Sequence, residues 1–243
     1  MIVLSAGMPR AGSGWHYNII HDLMDAAGYS DARQIRKKYR LQSILTEVNC
    51  NIGVLSLRRL GMVSLPALMG RDFVIKAHAG PTTWSRTLAS LGLLLPIYIY
   101  RDPRDAMLSA YEYGQRSIAK GRPNYFSKLT NFEETLNFMA EYVDIWEDWM
   151  KEKHALFACY ESLLTNYDVE LNRLLTYLGL DASEEKYKAV ITQYRPDKAD
   201  VDQQGLHFFK GKIGRYKEAY TEAEQAQIHA RFGQALQKMG YEG

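Results

Sequence analysis

Gly7, Gly12 and Gly14 punctuate the stretch Gly7-Met-Pro-Arg-Ala-Gly-Ser-Gly-Trp15, which directly follows the apolar run Ile2-Val-Leu-Ser5. A Gly-rich turn between a strand and a helix-compatible segment aims successive backbone N–H groups and a helix N-terminus at one anion, so this is the pattern of a phosphate cradle. The spacing Gly7-x-x-x-x-Gly12 matches the start of a Walker A motif, but Ser13 stands where that motif carries its lysine. A phosphate-like ligand is expected, without the full equipment for ATP.

Three further groups of residues could do chemistry. In Tyr98-Ile-Tyr-Arg-Asp-Pro-Arg-Asp-Ala-Met-Leu-Ser109, Arg101 would end a buried strand, and Asp102 would cap a helix with Pro103 in its first position. A guanidinium and the Ser109 hydroxyl converging at the carboxyl edge of a sheet make a second phosphate site. The same run also parses as a Walker B strand with Asp102 holding Mg²⁺, a parse that Arg101 and Pro103 make awkward. In Phe73-Val-Ile-Lys-Ala-His-Ala-Gly80, Lys76 and His78 share a strand face, giving a cation beside a proton acceptor. His16, His21, His154, His207 and His229 lack such a setting and read as structural. Finally, Phe208-Phe-Lys-Gly-Lys-Ile-Gly-Arg-Tyr-Lys217 is a basic, glycine-hinged loop ahead of a helix.

The elements that must position these groups alternate between strand and helix, which favours an α/β fold with a central parallel sheet flanked by helices. Ile2–Ser5, Phe73–Lys76, Pro96–Tyr100 and Ala155–Tyr160 are near-continuous apolar runs, as strands covered on both faces should be. Asn131-x-x-Glu134 and Thr221-x-x-Glu224 resemble capping boxes. Each opens a helix with apolar residues at three- and four-residue spacing, and another such helix stops at Gly179. Ser30–Asn51 resists assignment. The basic stretch Gly114–Asn131 reads as a mobile lid-like loop or a solvated surface.

Bulk properties narrow the classes. The chain has 243 residues, 47% hydrophobic and 24% charged, which suits a single globular domain over 1–243. A net charge of +2 argues against a dedicated nucleic-acid or membrane-surface binder, although local basic clusters can still hold a small anion. Cys50 and Cys159 offer no disulfide framework, and no signal peptide or transmembrane run is evident, so a cytoplasmic protein is expected. No His/Cys cluster has metal-ligand spacing, and no metal is expected. Oligomeric state is not legible.

Taken in order, four blocks give the chain a family resemblance. They resemble those of the sulfotransferases that use 3′-phosphoadenosine 5′-phosphosulfate (PAPS), which implies their P-loop-like nucleotide-binding fold. Pro9-Arg-Ala-Gly-Ser-Gly-Trp15 is similar to that family's Pro-Lys-Ser-Gly-Thr-Thr-Trp, and Lys76-Ala-His78 to its Lys-Thr-His. Arg101-Asp-Pro-Arg-Asp-Ala-Met-Leu-Ser109 is similar to Arg-Asn-Pro-x-Asp-x-x-x-Ser, and Phe209-Lys-Gly-Lys-Ile-Gly-Arg-Tyr-Lys217 to the C-terminal Arg-Lys-Gly-x-x-Gly-Asp-Trp-Lys. Tyr160-Glu161 resembles the family's Tyr-Glu, whose tyrosine lies near adenine.

The resemblance implies that Arg10, Ala11, Gly12, Ser13 and Gly14 wrap the 5′-phosphosulfate, that Trp15 stacks on adenine, and that Tyr160 lies close by. Arg101, Ser109, Lys210, Gly211 and Lys212 would hold the 3′-phosphate. His78 would take the proton of an acceptor hydroxyl, with Arg10 and Lys76 countering charge on the leaving group. Adenosine 3′,5′-bisphosphate (PAP) would be released. The chain departs from the family at Arg10, where a lysine is usual, at Gly14, which lacks a threonine hydroxyl, and at Phe209, which replaces an arginine that Lys212 or Arg215 would have to make good. As a base His78 must be neutral, so activity is expected to fall as pH drops through an ordinary histidine pKa of about 6.5. The acceptor class stays open among small-molecule, carbohydrate and lipid hydroxyls, and Tyr39, Trp84, Tyr111, Tyr113, Tyr125 and Phe126 are candidate pocket aromatics. A Mg²⁺-dependent small-molecule kinase and a non-catalytic nucleotide-binding module are the alternatives.

Overall fold

The computed structural model describes residues 1–197 and 212–241. Five strands form one parallel sheet: β1 (Ile2–Gly7), β2 (Asn51–Ile52), β3 (Phe73–Ala77), β4 (Leu94–Tyr100) and β5 (Leu156–Cys159). Their spatial order is β2-β3-β1-β4-β5. The helices are α1 (Ser13–Ala26), α2 (Ala32–Lys38), α3 (Leu57–Leu68), α4 (Thr83–Ser90), α5 (Pro103–Ala119) and α6 (Phe132–Trp149). They continue as α7 (Tyr160–Thr165), α8 (Tyr167–Leu178), α9 (Glu185–Gln193), α10 (Tyr216–Ala219) and α11 (Glu222–Met239). The central parallel sheet flanked by helices is the architecture expected from the alternating pattern.

Alternation along the strands explains why these runs are apolar throughout. Ile2, Leu4 and Ala6 of β1 pack with Phe73, Ile75 and Tyr98 into one core with α6 and α11, whereas Val3, Val74, Ile97 and Ile99 join a second core with α1 and α8. Both faces are therefore covered. Successive connections from β1 lead first to β2 and β3 on one side and then to β4 on the other. The crevice where strand order reverses opens at the carboxyl end of β1, where such sheets bind ligands.

The local signals act as their chemistry requires. Asp102 accepts the Arg104 N–H at 2.9 Å to cap α5. Thr221 and Glu224 close a reciprocal box on α11, while Gly179 and Gly240 terminate α8 and α11 in the left-handed region. Asn131 caps α6, but Glu134 reaches one residue further back and takes the Thr130 N–H at 2.7 Å.

Two sequence expectations need correction, and one unassigned stretch gains a helix. Gly114–Asn131 is not a free loop: α5 runs on to Ala119, and a 3-10 turn at Tyr125–Lys128 packs so tightly on it that a Cβ at Gly114 would lie 2.2 Å from the Phe126 carbonyl oxygen. The basic residues hid the contact because it depends on a missing side chain at one position. Within Ser30–Asn51, α2 forms behind its Asp31 cap. Tyr160 does not end a strand; it opens α7, directly after Cys159. No helix among the described residues is long and apolar enough to cross a membrane.

Candidate active site

The loop from Met8 to Gly12 is folded by two left-handed residues, Arg10 (φ 65°) and Gly12 (φ 71°). Gly12 is required twice over: its φ suits glycine, and a Cβ there would approach the Tyr160 ring to 2.6 Å. Among the described residues no side chain caps α1, so the N–H groups of Ser13 and Gly14 face outward at its N-terminus, where an anion would bind. Ser13 and Gly14 belong to the first turn, and Ala11 is buried beneath it.

His78 lies just past the end of β3, and its Nδ1 sits 2.6 Å from the carbonyl oxygen of Gly7, the last residue of β1. A carbonyl only accepts, so Nδ1 carries the proton and Nε2 keeps its lone pair. The imidazole is thus fixed in the tautomer of a base. Burial pushes its pKa down to about 3, helped by Lys76 and Arg10 and opposed by the Gly7 hydrogen bond. Desolvation, with Lys76 and Arg10 adding to it, thus favours neutral His78 well below the 6.5 of an ordinary histidine.

Lys76 points to the same side of β3 as Val74, toward α1, and is only 6% exposed. Among the described residues its ammonium has no hydrogen-bond or ion-pair partner, which leaves it open to an anion. Burial, with Arg10 nearby, pushes its pKa down to about 8. Close by, His16 of α1 meets Ser5 of β1 at 3.3 Å, and burial next to Lys76 pushes this imidazole down to about 3. His16 keeps the structural place that the sequence suggested, though its closeness to Lys76 was not foreseen.

Arg10 is held by residues of α5 and the turn packed on it. Its Nε donates to Ser109 Oγ at 3.2 Å, and its guanidinium lies 4.4 Å from the Tyr113 ring centre and 5.9 Å from that of Phe126. Burial, with Arg116 and Arg101 also facing it, pushes its pKa down to about 10, leaving it charged at neutral pH. Arg10 thus links the two residues expected at the second phosphate site, reaching Ser109 through its side chain and Arg101 through its carbonyl.

Arg101 links three parts of the chain. It donates to the carbonyls of Arg10 (3.3 Å) and Lys212 (3.2 Å), approaches Asp105 at 3.5 Å, and lies 4.6 Å over the Tyr160 ring. Its Nε, 3.9 Å from Glu161 Oε1, is buried without a hydrogen bond. Lys212 thus reaches the site through its backbone, its side chain being exposed. Lys210 and Gly211 lie outside the described residues. Trp15, only 3% exposed, is stacked on Tyr167 at 6.2 Å and donates its indole N–H to the Tyr194 carbonyl. Its ring is thus engaged by the protein at the place where the resemblance implies adenine.

Sequence reasoning missed how Asp105 acts. Beyond favouring the first turn of α5, its carboxylate accepts the Gly214 N–H at 2.7 Å and the Tyr216 N–H at 3.0 Å, tying the C-terminal basic segment to the site. Arg215 pairs with Glu112, and Arg104 covers the Tyr216 ring at 4.1 Å. Glu161 was visible only as half of a Tyr-Glu pair; it accepts the Asp102 N–H at 3.2 Å and a hydrogen bond from the Tyr241 hydroxyl. The Asp102 carboxylate itself is spent on Arg104, whose backbone N–H, Nε and Nη2 all bind it, so the Mg²⁺-holding parse fails.

Of the candidate pocket aromatics, Tyr113, Tyr125 and Phe126 form a continuous wall with Phe138 and Tyr142, ring centres 5.0–6.1 Å apart. Trp84 is 46% exposed on α4, and Tyr39 packs against the main core. Neither makes a ring contact with that wall. Tyr111 is half-buried on α5.

A model of the sulfotransferase domain matches residues 2–240. The chain belongs to the sulfotransferase family. This is the PAPS-dependent family that the four blocks resembled, and the match places the enzyme among transferases rather than kinases. The chain is 22% identical to mouse sulfotransferase 6B1 over 247 aligned residues, covering 96% of this chain and 76% of that one. A shorter match of 110 residues, at 27% identity, is to amine sulfotransferase from Oryctolagus cuniculus, covering 40% of this chain and 34% of the rabbit protein. Among solved structures, retinol dehydratase in complex with retinol and PAP shares the fold at a TM-score of 0.61 and 17% identity, over 97% of this chain and 81% of that one. Mouse SULT7A1 complexed with PAP does so at 0.58 and 16%, over 97% and 84%.

Proposed function

We propose that this sulfotransferase moves a sulfuryl group from PAPS to a hydroxyl of a small-molecule acceptor, with His78 as the base. The observation that carries the reading is the His78 Nδ1–Gly7 carbonyl contact of 2.6 Å, which leaves Nε2 as the proton acceptor beside a phosphate-type loop. The site fits a nucleotide with two anionic ends. Among the described residues the largely buried Lys76 has no side-chain partner, no side chain caps α1, and the buried Arg101 Nε makes no hydrogen bond.

The first turn of α1 and Lys76 would hold the 5′-phosphosulfate, and Arg10, Arg101 and Ser109 the 3′-phosphate, with Lys210 and Gly211 completing that end and the Lys212 carbonyl orienting Arg101. When bound, PAPS supplies an activated sulfuryl group on a weakly basic leaving phosphate. The protein's part is positioning and charge. His78 Nε2 accepts the hydroxyl proton, and Lys76, the cation nearest that base along the strand, counters charge on the leaving side. Arg10, which the family pattern would place there, is held instead on Ser109 and Tyr113, so its duty falls at the second phosphate. Retinol dehydratase structures containing retinol or androsterone support a small-molecule acceptor for this fold, and the aromatic wall from Tyr113 to Tyr142 suits an apolar one.

Transfer of labelled sulfate from PAPS across a panel of hydroxyl compounds tests the reading. His78→Asn should lose about 10²–10⁴-fold in turnover, the usual share of a general base, while still binding PAP. Near-normal turnover would remove His78 as the base. Tight PAP binding with no transfer by the wild type to any acceptor would favour a non-catalytic module.

A further inference from the structure

The helix α3 buries one side in the core through Leu60 and Val63, yet its solvent side is also apolar. Leu57, Leu65, Leu68 and the adjoining Met69 are each more than half exposed, at 52%, 55%, 69% and 63%, and Met62 is 41% exposed. At about 100° per residue these positions fall in a single arc of the helix, with Gly61 between them and Arg58 as the one charge. A surface helix normally carries polar side chains there, and a contiguous exposed apolar patch marks an interaction face.

The charges beside the face indicate its partner. Residues 48–71 contain Arg58, Arg59 and Arg71 and no carboxylate. Two copies packed face to face would bring these arginines together, whereas an anionic surface would pair with them. An apolar helix face whose own charges, Arg58 and Arg59, are both arginines, with Glu47 and Asp72 outside the helix, has the composition that lies in the plane of a bilayer, apolar side chains among the acyl chains and guanidiniums at the headgroups. We propose that the outer face of α3 docks on an anionic lipid bilayer.

The face also adjoins the active-site edge of the sheet. The Leu55 carbonyl, two residues before α3, accepts a hydrogen bond of 2.6 Å from Thr82, in the loop that follows His78. Docking along α3 would therefore bring the mouth of the site close to the headgroups.

Vesicle flotation tests the docking independently of catalysis. Wild type should float with vesicles of phosphatidylglycerol in phosphatidylcholine at low salt, and less so as salt rises. The triple variant L65E/L68E/M69E should lose at least about tenfold in partitioning, while its melting temperature and PAP binding stay at wild-type values, because all three side chains face solvent. R58Q/R71Q should abolish the preference for phosphatidylglycerol over phosphatidylcholine alone. Failure of wild type to float at low salt overturns the proposal, as does flotation undiminished in the triple variant. A wild-type dimer in sedimentation that the triple variant splits, without lipid binding, would instead make the face a self-interface.

Discussion

The pH dependence of kcat/KM, which reports the free enzyme, separates this site from one built on an ordinary histidine. His78 is pushed down to about 3, so its proton-accepting form dominates across the whole working range and no acid limb should appear near 6.5. Lys76 is pushed down to about 8, so its positive charge is lost as pH rises through that value. At pH 9, one unit above, only about a tenth of the enzyme retains the ammonium. The profile should therefore be flat from pH 5.5 to 7 and fall about tenfold per unit above 8. The perturbation that proves the cause is Lys76→Arg, since a guanidinium stays protonated there. Whatever its overall rate, this variant should lose the alkaline limb. The assay is initial-rate sulfate transfer to an acceptor alcohol that does not itself titrate, at PAPS concentrations well below KM. An acid limb centred near 6.5, or an alkaline limb unchanged in Lys76→Arg, would refute the reasoning.

Three further outcomes follow from particular contacts. Gly12→Ala places a methyl 2.6 Å from the Tyr160 ring at φ 71°, and should cost about 1–3 kcal/mol of stability together with most PAP affinity, read by denaturant unfolding and calorimetry. Asp105→Asn leaves only one acceptor oxygen for the Gly214 and Tyr216 amides and removes the charge facing Arg101; the variant should bind PAP at least about tenfold more weakly and be cut faster by protease near residue 212. His16, lowered to about 3 when folded, binds its proton more readily once unfolded, so it withdraws stability as pH falls below 6.5, by about 1.4 kcal/mol at pH 5.5. His16→Gln, which does not titrate, should flatten the fall in unfolding free energy between pH 7.5 and 5.5 by roughly that amount.

The strands, caps and phosphate loop were legible because each is written in neighbouring residues: apolar runs, Asp102 before Pro103, Thr221 three residues before Glu224. The tautomer of His78 was not, since it depends on a carbonyl 71 positions away. Asp105 shows the same limit. Its sequence setting accounts for a helix N-terminus, but its amide partners come from 109 and 111 residues downstream. The destination of Arg10 was hidden by its unusual left-handed backbone, which turns the side chain toward α5, and β2 was too short, at two residues, to leave a pattern. The packing of Gly114 on Phe126 likewise rests on the absence of a side chain, which composition alone reports as flexibility.

The anchor of His78 is a main-chain oxygen, belonging to the strand that also feeds the phosphate loop. Every amino acid at position 7 carries that carbonyl, but only glycine leaves it in place: a Cβ there would lie 2.5 Å from the Ile99 side chain and 2.8 Å from its backbone oxygen. Mutational scans of this enzyme should accordingly find no partner side chain for the histidine. A side chain at position 7 would push β1 off β4 and so displace base and anion loop together.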